Sequence, residues 1–257
     1  MNSGTPEPTA PQLSIVLATF NERASMPLLL DRIRSTPLPS WELLVVDDGS
    51  TDGTREFLEA AARSDVRLRL IWHQGKQTTV RAQCQGIAAS RGRSVVVMDA
   101  DLQHPPEVLP AMVGALSNGA ALVIGSRYAP GGSAGPRTWA RVVISRGAEW
   151  TAKLLLPEAR GRTDPVSGLF GFRRETFRPL PPQWRGYKLL LFLLVMSRGE
   201  RIAEVGYRFE PRTSGSSKVT ENSRFIRFFL VEVAHARRLR RALAAASSSG
   251  APPGQPL

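Results

Sequence analysis

Apolar residues in this chain gather in short runs, and each run stops on a polar knot. Leu13-Ser14-Ile15-Val16-Leu17-Ala18 passes into Thr19-Phe20-Asn21-Glu22-Arg23. Trp41-Glu42-Leu43-Leu44-Val45-Val46 passes into Asp47-Asp48-Gly49-Ser50-Thr51-Asp52. Val95-Val96-Val97-Met98 passes into Asp99-Ala100-Asp101-Leu102-Gln103. Runs this short and this apolar predict strands covered on both faces. His104-Pro105-Pro106 closes the third, because proline has no N–H with which to extend a ladder. Helix-like stretches lie between the runs; residues 54–63 form one, with Ser50, Thr51 and Asp52 as candidate N-caps. The alternation predicts an α/β chain with a mostly parallel central sheet flanked by helices. Ligands of such sheets bind outside the carboxyl ends of the strands, which is where the polar knots fall.

Farther along, residues 222–243 read as a helix in which Phe225, Phe229, Ala236, Leu239 and Leu243 recur at helical spacing. Arg237, Arg238, Arg240 and Arg241 gather toward its C-terminal end, where they suit the helix dipole. An interfacial role is expected for this basic amphipathic helix, with aromatics at the acyl boundary and arginines on anionic headgroups. The alternative packs its apolar stripe on the domain. Residues 1–12 and 244–257 are polar or rich in small residues and proline, and are expected to be disordered. That leaves 13–220 as one catalytic-sized domain and 221–243 as the appended helix. The apolar run Leu189–Met196 is too short to cross a bilayer, which takes about 20 helical residues, and no signal segment opens the chain.

Composition changes this picture in two ways. Thirty-four Lys and Arg against 22 Asp and Glu give +12 at pH 7, so the expected partners are anions: nucleotides, phospholipid headgroups or nucleic acid. No nucleic-acid recognition module is visible, and nucleic acid is not expected. The lone cysteine, Cys84, rules out an internal disulfide, fits a reducing compartment and reads as a small buried hydrophobe. No Cys/His cluster has zinc spacing, and the first turn lacks the G-x-G-x-x-G of dinucleotide enzymes.

The chemistry concentrates in the third knot. Asp99 and Asp101 put hard oxygens one residue apart where the backbone leaves the sheet, and Gln103 follows. Such oxygens suit Mg²⁺ or Mn²⁺, ions that keep several waters and complete their coordination on substrate phosphate. Among the basic residues, guanidinium forks match phosphate oxygens best. Arg141 and Ser145 stand at i and i+4, so on a helix they can share one oxyanion.

With these turns in place, the chain resembles the family 2 glycosyltransferases of the GT-A fold, and among them the polyprenol- and dolichol-phosphate mannose synthases. The motifs fall in the family's order: T-x-N-E at 19–22, V-D-D-G-S-x-D-x-T at 46–54, D-A-D-L-Q-H-P-P at 99–106 and G-S-R-Y at 125–128. They continue with R-x-x-x-S-R-G at 141–147, D-P-x-S-G-x-x-x-x-R-R at 164–174 and R-x-x-G-x-S-K at 212–218. The resemblance implies metal-dependent, inverting transfer of mannose from GDP-mannose to a polyprenyl phosphate. It implies work at the cytoplasmic face of the membrane, by a peripheral protein or one held by a membrane-anchoring subunit.

The same resemblance assigns roles. Thr19, Asn21, Glu22, Asp47, Asp48, Lys76, Asp99 and Ala100 would surround the nucleotide, and Asp99, Asp101 and Gln103 would hold the metal. Arg127, Arg141 and Ser145 would take the acceptor phosphate, while Arg212 and the lid residue Lys218 would take the donor diphosphate. Asp101, Arg127, Arg141 and Arg212 form the implied catalytic set, with Asp164 near the sugar. A phosphate acceptor is already anionic at neutral pH, its second pKa being about 6, so it needs steering rather than a strong base. Two segments depart from the pattern. Phe192 stands where close relatives usually carry a glutamate near the active site, and residues 74–83 replace a glycine-rich run. These departures keep open a same-fold transferase using UDP-glucose, or a nucleotide-sugar-binding member with impaired catalysis. His104, ahead of two prolines, is expected to start a helix rather than bind metal.

Overall fold

The computed structural model describes residues 10–75, 77–135, 139–177, 188–211 and 224–248, with the backbone alone at 140, 141, 224–228 and 245–248. The predicted strands are β1 (Leu13–Thr19), β2 (Trp41–Asp47) and β4 (Ser94–Asp99). Each draws the first polar residue of its knot into the ladder. With β3 (Leu68–Trp72), β5 (Leu122–Ser126), β6 (Phe170–Arg173) and β7 (Ile202–Gly206) they make, among the described residues, a seven-stranded sheet in the order β3-β2-β1-β4-β6-β5-β7. β6 alone runs antiparallel to its neighbours.

Register brings the knots together. β1 lies parallel between β2 and β4, with Thr19 beside Asp47 and Ala18 beside Asp99. Three polar turns therefore leave the sheet side by side at one edge.

Side-chain alternation gives the sheet two cores. Ile15, Leu17, Val45, Val96 and Met98 face α1 (Met26–Ser35) and α4 (Leu109–Ser117), which bury Leu29, Leu30 and Ile33, and Met112 and Leu116, against them. Val16, Leu44, Val95, Val97, Phe170 and Phe172 line the other core, which α6 (Leu189–Met196) fills. This apolar run is buried from Leu189 to Val195, the fate of a helix that is hydrophobic all round. Phe192 belongs to that core. On the same side α3 (Thr79–Ala89) lies so close to the sheet that a β-carbon at Gly86 would fall 2.4 Å from Val16 Cγ1.

Three expectations are corrected here. Helix α2 (Thr54–Ser64) is capped by Gly53 at φ 87°, because Asp52 sits one residue too early. Asp52 still serves the turn, accepting the Thr54 N–H at 3.1 Å and hydroxyl at 2.5 Å. Helix α7 (Arg224–Ser248) runs past residue 243 into the stretch expected to be disordered, carried by an alanine run of high helix propensity. Its stripe also packs inward: Phe229, Val233 and Ala236 are buried in the α6 core, with Leu239 and Leu243 against it. Arg240 is likewise taken, its Nε donating to Glu158 Oε1 at 2.9 Å. Arg237, Arg238 and Arg241 face solvent. Among the described residues no helix is long and apolar enough to cross a membrane.

Candidate functional site

The turns after β1 and β2 are stitched to each other by the residues expected around a nucleotide. Asn21, at φ 56°, accepts the Thr51 N–H at 2.9 Å and donates its own N–H to Ser50 Oγ at 2.8 Å. Glu22 donates its N–H to Thr54 Oγ1 at 3.1 Å. Ser25 Oγ lies within reach of the Glu22 carboxylate at 3.0 Å and of the Ala100 carbonyl at 3.0 Å, tying the first knot to the third. Asp47 is spent on its own turn: Oδ1 accepts the N–H groups of Gly49 and Ser50, and Oδ2 the Ser50 hydroxyl. Asp48 Oδ1 meets the Gln77 N–H at 2.7 Å and His73 Nδ1 at 3.0 Å. Thr19 differs, since its buried Oγ1 has no hydrogen-bond partner among the described residues. A buried hydroxyl left in this state is suited to meeting a ligand.

The third knot is strained and held from below. Leu102 adopts φ 65°, a region L-residues avoid, between the two metal candidates and Gln103. Asp101 is buried and accepts the Gln103 N–H at 3.1 Å, while Gln103 Nε2 donates to the Glu210 carbonyl at 3.4 Å. The Asp99 side chain is 43% exposed and reaches solvent.

His104 is the surprise. The 3₁₀ turn starts only at Pro106, and His104 caps nothing. It is buried, its Nδ1 accepts the Asp99 N–H at 2.9 Å, and its proton therefore sits on Nε2. Burial drives its pKa down against the pull of Asp99 and Asp101. Tyr207 and Phe209 meet the ring edge-on at 5.5 and 6.0 Å. His104 thus pins Asp99.

The residues present fit a divalent ion. Asp99, Asp101 and Gln103 offer hard oxygens, and the missing β-carbon of Gly168 would come within 3.1 Å of Asp99 Oδ2. No group of three or more His, Cys, Asp and Glu among the described residues could cage an ion alone. An ion held here would need water or a bound ligand to complete its coordination.

Across from the acids stands Arg127, at the end of β5. Its Nε meets Asp164 Oδ2 at 2.6 Å and a terminal NH₂ meets Oδ1 at 2.8 Å. Burial works against the charge, but the hydrogen-bonded Asp164 prevails and moves the guanidinium above its ordinary value. Asp164, fully buried, therefore orients Arg127. The Tyr128 ring lies between Arg127, 5.4 Å away, and Arg146 of α5 (Trp139–Leu155), 4.2 Å away. That contact brings α5 at Arg146 against Tyr128; Arg141 falls in the first turns of the helix and half-buried Ser145 one turn on. Lys76, Arg212 and Lys218 lie outside the described residues.

One charged residue within electrostatic reach of these groups escaped the sequence reading. Lys188 precedes α6, and the charges acting on it are Arg127, Asp99, Asp164 and Glu232. Burial pushes its ammonium below the ordinary value, Arg127 adds to that, and the three acids oppose it. Its signal was a lone lysine heading an apolar run.

Comparison with known proteins follows the same lines. Residues 14–180 match the family model "Glycosyl transferase family 2". The dolichol-phosphate mannosyltransferase of Pyrococcus furiosus is 35% identical over 81% of this chain, which spans 59% of that protein. The polyprenol monophosphomannose synthase of Mycolicibacterium smegmatis is 34% identical, covering 89% of each chain. Among solved structures, glucosyl-3-phosphoglycerate synthase from Mycobacterium tuberculosis with UDP superposes at a TM-score of 0.68 and 24% identity, over 89% of this chain and 80% of that one. The same enzyme has been solved with Mn²⁺ and UDP-glucose, and with Mg²⁺ and UDP. The shared fold is GT-A.

Proposed function

This chain belongs to glycosyl transferase family 2, and we propose that it moves mannose from GDP-mannose to a polyprenyl phosphate, with inversion at the sugar carbon. One observation carries the reading: the solvent-reaching carboxylate of Asp99 opens at the same sheet edge as a guanidinium, Arg127, that Asp164 holds rigid. The first suits a metal-bound diphosphate and the second an anionic acceptor. The relatives named for dolichol and polyprenol phosphates support that acceptor.

Bound at Asp99, Asp101 and Gln103, Mg²⁺ or Mn²⁺ would neutralise charge on the departing diphosphate. The chain's own residues do the rest. Thr19 and Asp48 line the nucleoside side. Arg127, with Arg141 and Ser145, draws the acceptor phosphate out of water and aims an oxygen at the sugar carbon. No general base is needed, because that oxygen is already anionic. The family resemblance assigns the donor diphosphate to Arg212 and Lys218.

Access to a lipid acceptor falls to α5. Trp139, Val143, Trp150 and Leu154 face solvent along one helical stripe, Trp139 being 80% and Trp150 72% exposed. Tryptophan suits the headgroup boundary, and the outward arginines of α7, which packs on α5, suit anionic lipid. This face, alone or with a membrane-anchoring subunit, would hold the chain peripherally at the cytoplasmic surface.

The test is transfer of labelled mannose from GDP-mannose to a short polyprenyl phosphate with Mn²⁺. Product from the native chain, and none from Asp101→Ala or with chelator, is the expected result. Turnover of UDP-glucose in place of GDP-mannose would overturn the donor.

A further inference from the structure

Helix α7 packs on α6 and reaches the residue that heads it. Glu232 is fully buried on its inward face, among Phe229, Val233 and Ala236. Its Oε1 accepts the backbone N–H of Lys188, the residue that heads α6, at 2.5 Å. Helix α6 is Leu-Leu-Leu-Phe-Leu-Leu-Val-Met, so it offers no acid of its own to Lys188; position i+4 is Phe192. The acid comes instead from 44 residues farther along the chain. Lys188 in turn lies within electrostatic reach of Asp99, Asp164 and Arg127, the groups placed on the metal and acceptor sides. A buried carboxylate persists where hydrogen bonds and opposite charge compensate its desolvation; Glu232 has the Lys188 N–H as donor and the lysine's charge within electrostatic reach.

We propose that Glu232 is a positioning residue of the transferase site: it fixes Lys188 as a second cation beside Arg127, facing the phosphates that meet between Asp99 and Arg127. The C-terminal helix then completes the site. This assignment of phosphates rests on the transfer reading above. Coupling through Lys188 also gives α7 a reason to carry an acid within its apolar face.

The experiment compares Glu232→Ala, Glu232→Gln, Lys188→Met and the Ala/Met double variant in the full chain, with whichever sugar nucleotide the native chain turns over. Glu232→Ala should lower kcat by about 10- to 100-fold, the size expected when a site group is misplaced by an ångström. Glu232→Gln, which keeps an acceptor oxygen, should lose less. The double variant should be no worse than Lys188→Met, because Glu232 acts through the lysine. Losses that multiply, or a Glu232→Ala variant with native kcat, overturn the proposal.

A readout free of turnover separates this inference from the transfer reading. Acetylation of Lys188 by acetic anhydride, followed by mass spectrometry, should be slow in the native chain and faster in Glu232→Ala. Equal rates in chains of equal thermal stability overturn the proposal. A native chain that turns over no sugar nucleotide, yet shows the acetylation difference, overturns the transfer reading and leaves the Glu232–Lys188 link standing.

Discussion

Arg127 and Asp164 meet fork to fork, and the backbone N–H of Arg127 also donates to Asp164 Oδ2 at 3.2 Å. Three hydrogen bonds to one buried carboxylate fix both the charge and the direction of the guanidinium. Asp164→Ala strands that cation in a buried setting and should cost about 3–5 kcal/mol in denaturant unfolding. Arg127→Lys keeps the charge and loses the planar fork, so stability should fall less than transfer activity. Equal, small losses in both assays would mean that the fork is not what the reaction uses.

Gly168 stands where a side chain would crowd the metal site. An added β-carbon would sit 3.1 Å from both Asp99 Oδ2 and His104 Cε1, tighter than ordinary contact. Gly168→Ala should therefore weaken Mn²⁺ binding in the presence of GDP by about 10- to 100-fold, as a disturbed support of a metal ligand does. Thermal stability should change little. Unchanged titration calorimetry would move the metal away from Asp99.

How far the sequence could be read depends on the range of the signal. β1, β2 and β4 were legible because an apolar run ended by turn residues is a local pattern. β7, Ile-Ala-Glu-Val-Gly, was not, since it is half-buried along its length and shows neither a run nor a sharp alternation. The acids and glutamine of the third knot were legible from the chemistry of oxygen ligands. Asp47 and Asn21 were chosen for a ligand by motif, yet geometry also sets them to holding turns, a demand that spacing does not reveal. Asp164 lies 37 residues from Arg127 and Glu232 lies 44 from Lys188, so no window of sequence pairs them. Helix α7 shows the same limit. Its period announces an apolar face, and only the fold says that α6 covers it.

Glu42 links stability to acid. It is buried, and its carboxylate accepts the Ser14 hydroxyl at 2.6 Å, an Arg69 N–H at 2.7 Å and the Arg91 backbone N–H at 2.5 Å. Burial would raise its pKa, but these donors prevail and hold it below the ordinary range. A carboxylate whose folded pKa lies below its unfolded value of about 4.3 contributes its full stability above that value. The contribution is lost as pH falls through the folded pKa. The melting temperature of the native chain should accordingly drop from about pH 5 downward more steeply than that of Glu42→Gln. The variant, less stable at pH 7, should converge on the native chain in acid. Parallel curves in a pH series of thermal melts would assign the acid sensitivity to other groups.

The membrane face makes a prediction that separates α5 from α7. Trp139 and Trp150 are exposed on α5, while the aromatic Phe229 of α7 is buried in the domain. Replacing both tryptophans with serine should reduce co-sedimentation with vesicles of mixed neutral and anionic lipid, at low and high salt alike. Their contribution is apolar and escapes screening. Replacing Arg237, Arg238 and Arg241 should cost about 1 kcal/mol of binding each near an anionic surface, and only at low salt. Arg240→Ala is the control within the same helix. Its partner Glu158 is largely buried, so this change should lower the melting temperature and spare vesicle binding. If the tryptophan variant binds vesicles as the native chain does, α5 does not lie on lipid, and the acceptor phosphate must reach Arg127 past another face.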